Sequence, residues 1–271
     1  MKIGYLQFKP ELHNPSVNTE KVSDFIGGAD FDLLVIPELA NSGYLLSSLD
    51  ELAGISENPD SGKYCSMLKK ISRKKNACIV SGFCECAKDG SQHVYYNSSI
   101  LVFPNGKFRI YRKTHLFYNE KNFFHPGNTG FWVYEVPSEK YETVKIGMMI
   151  CFDWIFPEAA RTLALRGAQI ICHPSNLVMP YCQNSMYARA IENRVFTITA
   201  NRTGTDTIGK ESVSFTGGSV ILNPNGDYLS RASEDKEELN IVEINPLDAK
   251  NKFINDKNNL FEERREMFYY R

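Results

Sequence analysis

No apolar run in the chain is long enough to cross a bilayer. The opening residues, Met1-Lys2-Ile3-Gly4-Tyr5-Leu6-Gln7-Phe8, alternate like a strand. They do not form a leader with a charged start, an apolar middle and a small-residue cleavage site. Charge of neither sign is in excess: 31 basic residues stand against 32 acidic ones, a formal charge of -1. That excludes the basic stripe of a nucleic-acid binder and the acidic tail of a charged scaffold. No Pro/Gly/Ser-rich linker and no break in composition divides residues 1–271, so one domain is expected. Cysteine lacks a pairing pattern. Seven residues, an odd number at irregular spacing, predict free thiols and a reducing, cytoplasm-like compartment. Cys84-Glu85-Cys86 with His93 has no second ligand pair to complete a tetrahedral zinc site, so no metal is expected. No internal repeat of fixed period stands out, although two strand-helix-strand halves could face each other. Together these absences predict a soluble cytoplasmic protein with no nucleic-acid or membrane partner.

What is present alternates between strand and helix. With 42% hydrophobic residues the chain can bury a full core. Residues 2 to 8 predict a strand. Val22, Phe25 and Ile26 then fall at helical spacing after Asn14-Pro15-Ser16, and Gly27-Gly28 ends that helix. Asp32 to Ile36 reads as a fully buried strand running into Pro37-Glu38. Tyr64, Leu68 and Ile71 mark a helix whose Arg73-Lys74-Lys75 end suits the helix dipole. Ala77 to Phe83 is the next strand, and Tyr95–Phe103 with Phe108–Tyr111 predicts a hairpin around Asn105-Gly106. The polar and aromatic stretch 114–130 reads as a functional loop, with Gly127 and Gly130 allowing tight turns. Strands are predicted at 131–136, 144–150, 169–172, 195–200, 218–222, 228–231 and 239–244, and helices at 157–166 and 186–194. This is an α/β layout. The tail, 246–271, is charged and aromatic without a periodic core face, which predicts docking on a partner subunit.

Three buried strands end in an ionisable residue: Glu38, Lys113 and Cys151. Cys151 closes Lys145-Ile146-Gly147-Met148-Met149-Ile150 and precedes Pro157-Glu158, a proline and a carboxylate suited to a helix start. Open α/β sheets expose reactive groups at such strand ends. Singly, each residue has an ordinary reading: a cysteine buried as a small hydrophobe, a glutamate or lysine at a solvated terminus. Jointly they suit covalent chemistry. A free thiol has a pKa near ~8.5, so a carboxylate must take its proton as attack begins, and an ammonium can hold the charge that develops.

Pro37-Glu38, Tyr111-Arg112-Lys113-Thr114-His115-Leu116-Phe117 and Cys151-Phe152-Asp153-Trp154-…-Phe156-Pro157-Glu158-…-Arg161 resemble the three signature segments of the nitrilase superfamily, the carbon–nitrogen hydrolases. The resemblance covers essentially the whole chain. It is closest to small archaeal-type nitrilases and aliphatic amidases in Leu116 to Lys121, Arg161 to Leu165 and Asn176 to Tyr181. It implies a four-layer αββα sandwich, a homodimer or higher homo-oligomer, and a Glu-Lys-Cys triad with no cofactor. Within that triad Glu38 would be the general base, Lys113 the electrostatic stabiliser and Cys151 the nucleophile. Glu120 matches the family's second glutamate, which orients lysine or substrate. The implied reaction is hydrolysis of a small amide through a cysteine thioester, with nitriles and N-carbamoyl compounds as close variants. Phe152 would offer its backbone N–H to the oxyanion. Tyr44, Trp154 and Asn176 are candidate substrate-pocket residues, and Asp153 with Arg161 a local ion pair. A Cys-His hydrolase using His115, His125 or His173, and a redox protein cycling Cys151 through sulfenic acid, are the competing readings.

Overall fold

Strand β1 (Lys2–Gln7), helix α1 (Pro15–Gly27) and strand β2 (Leu33–Ile36) open the computed structural model, which describes residues 1–138, 140–141 and 143–269. Asn14 caps α1 by accepting the Val17 N–H at 3.2 Å, and Pro15 occupies the first turn. Helices α2 (Leu49–Ile55) and α3 (Lys63–Lys75) follow, then β3 (Cys78–Asp89), β4 (Gln92–Val102) and β5 (Phe108–Arg112). The second half carries β6 (Val133–Pro137), β7 (Thr143–Met148), α4 (Pro157–Leu165), β8 (Ile170–Pro174), α5 (Cys182–Asn193) and β9 (Phe196–Ala200). It ends with β10 (Thr205–Ile208), β11 (Glu211–Ser214), β12 (Val220–Leu222), β13 (Tyr228–Arg231) and β14 (Glu238–Glu243).

One six-stranded sheet runs β14-β1-β2-β3-β4-β5 and the other β13-β12-β9-β8-β7-β6. In each, three adjacent strands are parallel and antiparallel strands flank them. The two halves therefore repeat one topology, as their strand-helix-strand order suggested. Side chains alternate across β2. Leu33 and Val35 join Ile146, Met148, Ile170 and Ile198 between the sheets, while Leu34 and Ile36 meet Val22, Ile26, Tyr64 and Leu68 of α1 and α3. Leu163 of α4 presses on Gly147 of β7, covering the other outer face. Four layers result, helix, sheet, sheet, helix, as the resemblance implied.

Several elements depart from expectation. The strand predicted at 77–83 continues to Asp89 and pairs with β4 throughout, because the polar residues after Cys84 leave the core but keep the ladder. Helix α2 and the β10–β11 hairpin were not foreseen; one is short and the other is rich in Thr and Ser. The strand expected to reach Ile150 stops at Met148, and a 3₁₀ turn, Cys151–Ile155, separates it from α4. The tail first packs on its own chain: Gln169 donates to the Pro246 carbonyl at 2.8 Å, and Lys252 to the Asn193 and Arg194 carbonyls. Met267, Phe268 and Tyr269 remain exposed, and the last two residues of the predicted tail lie outside the described ones.

Gly82 of β3 crosses the end of β2 at close range. It donates to the Pro37 carbonyl at 3.1 Å, and its own carbonyl accepts from Ala40 at 3.2 Å. A Cβ there would stand 2.3 Å from the Glu38 Cα. Gly82→Ala should therefore force the two backbones apart and lower stability by about 1–3 kcal/mol, as overpacking does. An unchanged denaturant midpoint would refute that contact.

Candidate active site

Each predicted strand-end residue arrives at the same edge of the sandwich. Glu38 follows β2 on a turn whose next residue, Leu39, is left-handed at φ 47°. Lys113 follows β5, its N–H bonded to the Asn97 carbonyl at 2.8 Å and its carbonyl accepting from Gly127 at 2.9 Å. A Cβ on Gly127 would fall 2.0 Å from the Arg112 carbonyl oxygen, so only glycine permits the loop to lie there. Cys151 begins the 3₁₀ turn after β7 at φ 40°, a conformation that L residues avoid and that tends to mark functional sites.

The side chains then meet. Lys113 Nζ donates to Glu38 Oε1 and to Glu120 Oε1, both at 2.7 Å, and neither lysine nor Glu38 is exposed. Asn97 Nδ2 gives Glu38 Oε1 a second bond at 2.7 Å. Glu38 Oε2 is buried and unpartnered. Tyr44 O–H donates to Glu120 Oε1 at 2.9 Å and the Phe117 N–H to Oε2 at 3.2 Å. The Cys151 thiol donates to the Asn176 carbonyl at 3.7 Å.

Electrostatics follow from this packing. Burial works against the charge of Lys113, but Glu120 and Glu38 outweigh it and hold the ammonium pKa above its ordinary value. Burial pushes Glu120 up to about 7; Lys113 opposes that shift and the Glu38 charge adds to it. Donors alone point at Glu120, so the cage is shaped for its ionised form. The Cys151 thiol is pushed up by burial and by Glu38, with Lys113 opposing. It is therefore held neutral, within reach of the Glu38 charge.

The remaining predicted residues divide. Tyr44 lines a cavity of about 360 Å³ together with Glu120 and Val178. The Asn176 side chain is buried with both amide atoms unpartnered. The Phe152 ring packs on Phe117 at 5.0 Å and faces a different cavity, beside His115 and Phe156. Trp154 does not line the Tyr44 cavity; it lies in the core with Tyr181 against its edge. Asp153 and Arg161 are not an ion pair. Asp153 accepts from the Ile150 N–H at 2.8 Å, Tyr111 O–H at 2.7 Å and the His115 ring at 2.7 Å, while Arg161 donates to the Glu192 carbonyl. His173 is buried, its pKa lowered to about 4 chiefly by burial, and its ring bonds the Cys151 carbonyl at 2.9 Å instead of the thiol. His115 is spent on Asp153, and His125 lies against Tyr96.

Sequence reasoning missed Asn97, which touches Glu38 with its side chain and Lys113 with its backbone. Its signal was available: Asn97-Ser98-Ser99 is a polar island inside an otherwise apolar strand. It also missed Arg202 and Asp206, a buried bidentate pair at 2.8 and 2.7 Å, whose carboxylate holds the Tyr44 N–H at 2.9 Å.

The fold is a four-layer αββα sandwich with thiol, carboxylate and ammonium at one edge. The family model described as Carbon-nitrogen hydrolase matches residues 2–251. A nitrilase of Pyrococcus abyssi is 42% identical over 274 residues, covering 100% of both chains. An (R)-stereoselective amidase of a Pseudomonas species is 33% identical over 249 residues, covering 90% of this chain and 85% of its own. The crystal structure of an amidase from a Nesterenkonia species superposes with a TM-score of 0.75 at 23% identity, over 98% of this chain and 94% of that one. The chain belongs to the carbon–nitrogen hydrolase family, within the nitrilase superfamily.

Asp153 binds the thiol-bearing turn to β5 and to the residue before Cys151. Asp153→Ala would strand several buried donors and should cost roughly 3 kcal/mol. Equilibrium unfolding checks this, and a loss below 1 kcal/mol, within the ordinary range for a neutral hydrogen bond, would mean the turn holds itself.

Proposed function

We propose that this hydrolase cleaves the carbon–nitrogen bond of a small amide through a thioester on Cys151, with Glu38 as base and Lys113 as the stabilising cation. One observation carries the reading: the buried Oε2 of Glu38 has no hydrogen-bond partner, and the same carboxylate acts on the Cys151 thiol. The thiol sulfur attacks the carbonyl carbon while Glu38 takes its proton. The new oxyanion faces the Lys113 ammonium and the Phe152 N–H. Glu38 then passes the proton to the amide nitrogen, the carbon–nitrogen bond breaks, and ammonia or an amine leaves. Water attacks the thioester with Glu38 again as base, the carbon–sulfur bond breaks, and the proton returns to sulfur as the carboxylic acid departs. Glu120 keeps Lys113 in place, and the unpaired Asn176 amide is suited to a polar group of the substrate.

The nitrilase at 42% identity favours a second reading at the same site. A nitrile would give a thioimidate, lose ammonia to one water and release the acid with a second. No observation favours the redox reading. A peroxide-sensing thiol is exposed and acidic, whereas Cys151 is buried and its pKa is raised.

The domain is read as one unit over 1–271. Exposed Ile155, Tyr181 and Tyr187 by α4 and α5, with Met267 to Tyr269 of the tail, support a homodimer. The seven free thiols suit the cytoplasm.

Ammonia release from a panel of small amides and nitriles tests the chemistry. Cys151→Ala and Glu38→Gln should lower it by about 10⁴-fold or more, and Cys151→Ala should lose the acyl adduct seen by intact-protein mass spectrometry. Retained turnover in Cys151→Ala sinks the mechanism. With Glu120 titrating at about 7, acid removes the charge that holds Lys113, so kcat/KM should fall as pH drops through that value. Glu120→Gln should be about 10²-fold slower and lack that limb. Sedimentation at micromolar concentration should give a dimer; a monomer alone would overturn the assembly.

A further inference from the structure

The cavity of about 360 Å³ stands against the far side of the lysine cage. Glu120, which holds Lys113 from one side, and Tyr44, which donates to Glu120, both line it. Leu45, Phe117, Phe124, Val178 and Val213 give it carbon walls, and strand β11 of the β10–β11 hairpin closes one side as its roof. Glu120 of its lining bonds Lys113, and Tyr44 and Glu120 both lie near enough to Cys151 for their charges to act on one another, so the cavity adjoins the cage. Among the described residues no lysine, arginine or histidine lines it; the acidic groups that do are Glu120 and Glu211. The buried cations nearby are already matched. Lys113 serves two carboxylates, and both oxygens of Asp206 take the Arg202 guanidinium. Lys210, at the hairpin tip, is exposed and outside the lining.

We propose that this cavity receives the acyl chain of the substrate and selects a short, uncharged, mainly apolar one, rejecting chains that end in a carboxylate. The proposal rests on the hydrolytic reading of Cys151. A carboxylate entering here would give up water with no free cation to meet it, and would face two groups of its own sign. An alkyl chain gains by leaving water, and the volume lies at the small end of ligand pockets. An ammonium terminus falls between the two, because Glu211 can meet it at the rim.

Three amides of similar length separate these cases: pentanamide, 5-aminopentanamide and 4-carbamoylbutanoate. For the wild-type enzyme, kcat/KM for pentanamide should exceed that for 4-carbamoylbutanoate by at least about 100-fold, the discrimination expected of unmatched polar burial. Binding to Cys151→Ala, followed by NMR titration, reads the cavity without turnover and should show the same order. Val213→Lys places a cation in the roof, where the hairpin is only half-buried, and should narrow the ratio at least about 10-fold; Ser212→Lys provides a second such variant on an exposed position. If pentanamide binds preferentially but is not cleaved, the cavity assignment stands and the hydrolytic reading falls. Equal or tighter binding of 4-carbamoylbutanoate overturns the assignment. So does absence of binding by all three amides, or an unchanged ratio in folded Val213→Lys and Ser212→Lys proteins.

Discussion

A lysine ammonium with no exposed surface, held at 2.7 Å by each of two glutamates, is the interaction around which the rest of the molecule is arranged. An ion taken out of water costs several kcal/mol unless its partners are placed well. Here each partner is itself placed. Glu38 hangs from a turn clamped by Gly82, and Glu120 is held by Tyr44 and the Phe117 N–H. Two carboxylates and one ammonium leave one negative charge in excess when both acids are ionised. Burial and the Glu38 charge together push the Cys151 thiol up. In the proposed reaction the same carboxylate takes the thiol proton.

Two further braces stand behind the cage. Asp153 ties the turn carrying Cys151 to Tyr111 and His115 on the β5 side, so thiol and ammonium are referenced to each other through one carboxylate. Asp206, paired with Arg202, holds the backbone of Tyr44 and begins the hairpin that roofs the cavity. The first sheet contributes Glu38, Asn97 and Lys113; the second contributes Cys151 and Asn176. Chemistry between them requires that the sheets pack in one register, and the interleaved side chains of β2, β7 and β8 provide it.

Much of this could be read along the chain. The apolar runs into Glu38 and Cys151 mark buried strands, and Asn14-Pro15 marks the helix start, with Asn14 as cap and Pro15 as first helical residue. Periodicity fails where polarity and secondary structure part company. β3 carries on through Cys84-Glu85-Cys86 because its ladder with β4 continues beyond the core, and β10–β11 pairs through Thr and Ser that bury little. Asp153 and Arg161 are close in sequence but do not pair. In the fold the buried carboxylate takes the donors that burial brings to it, from Ile150, Tyr111 and His115.

Local pattern by itself determined most of the core strands, and that a glutamate, a lysine and a cysteine end three of them. Tertiary structure alone decided how those ends are wired. Asn97 reaches Glu38 across 59 residues, Lys113 reaches it across 75, and Tyr44 reaches Glu120 across 76. Periodicity reports whether a side chain turns toward the core. Which donor waits there depends on the packing of two sheets whose contacts are remote in sequence, and that is where the cage, its braces and its cavity come from.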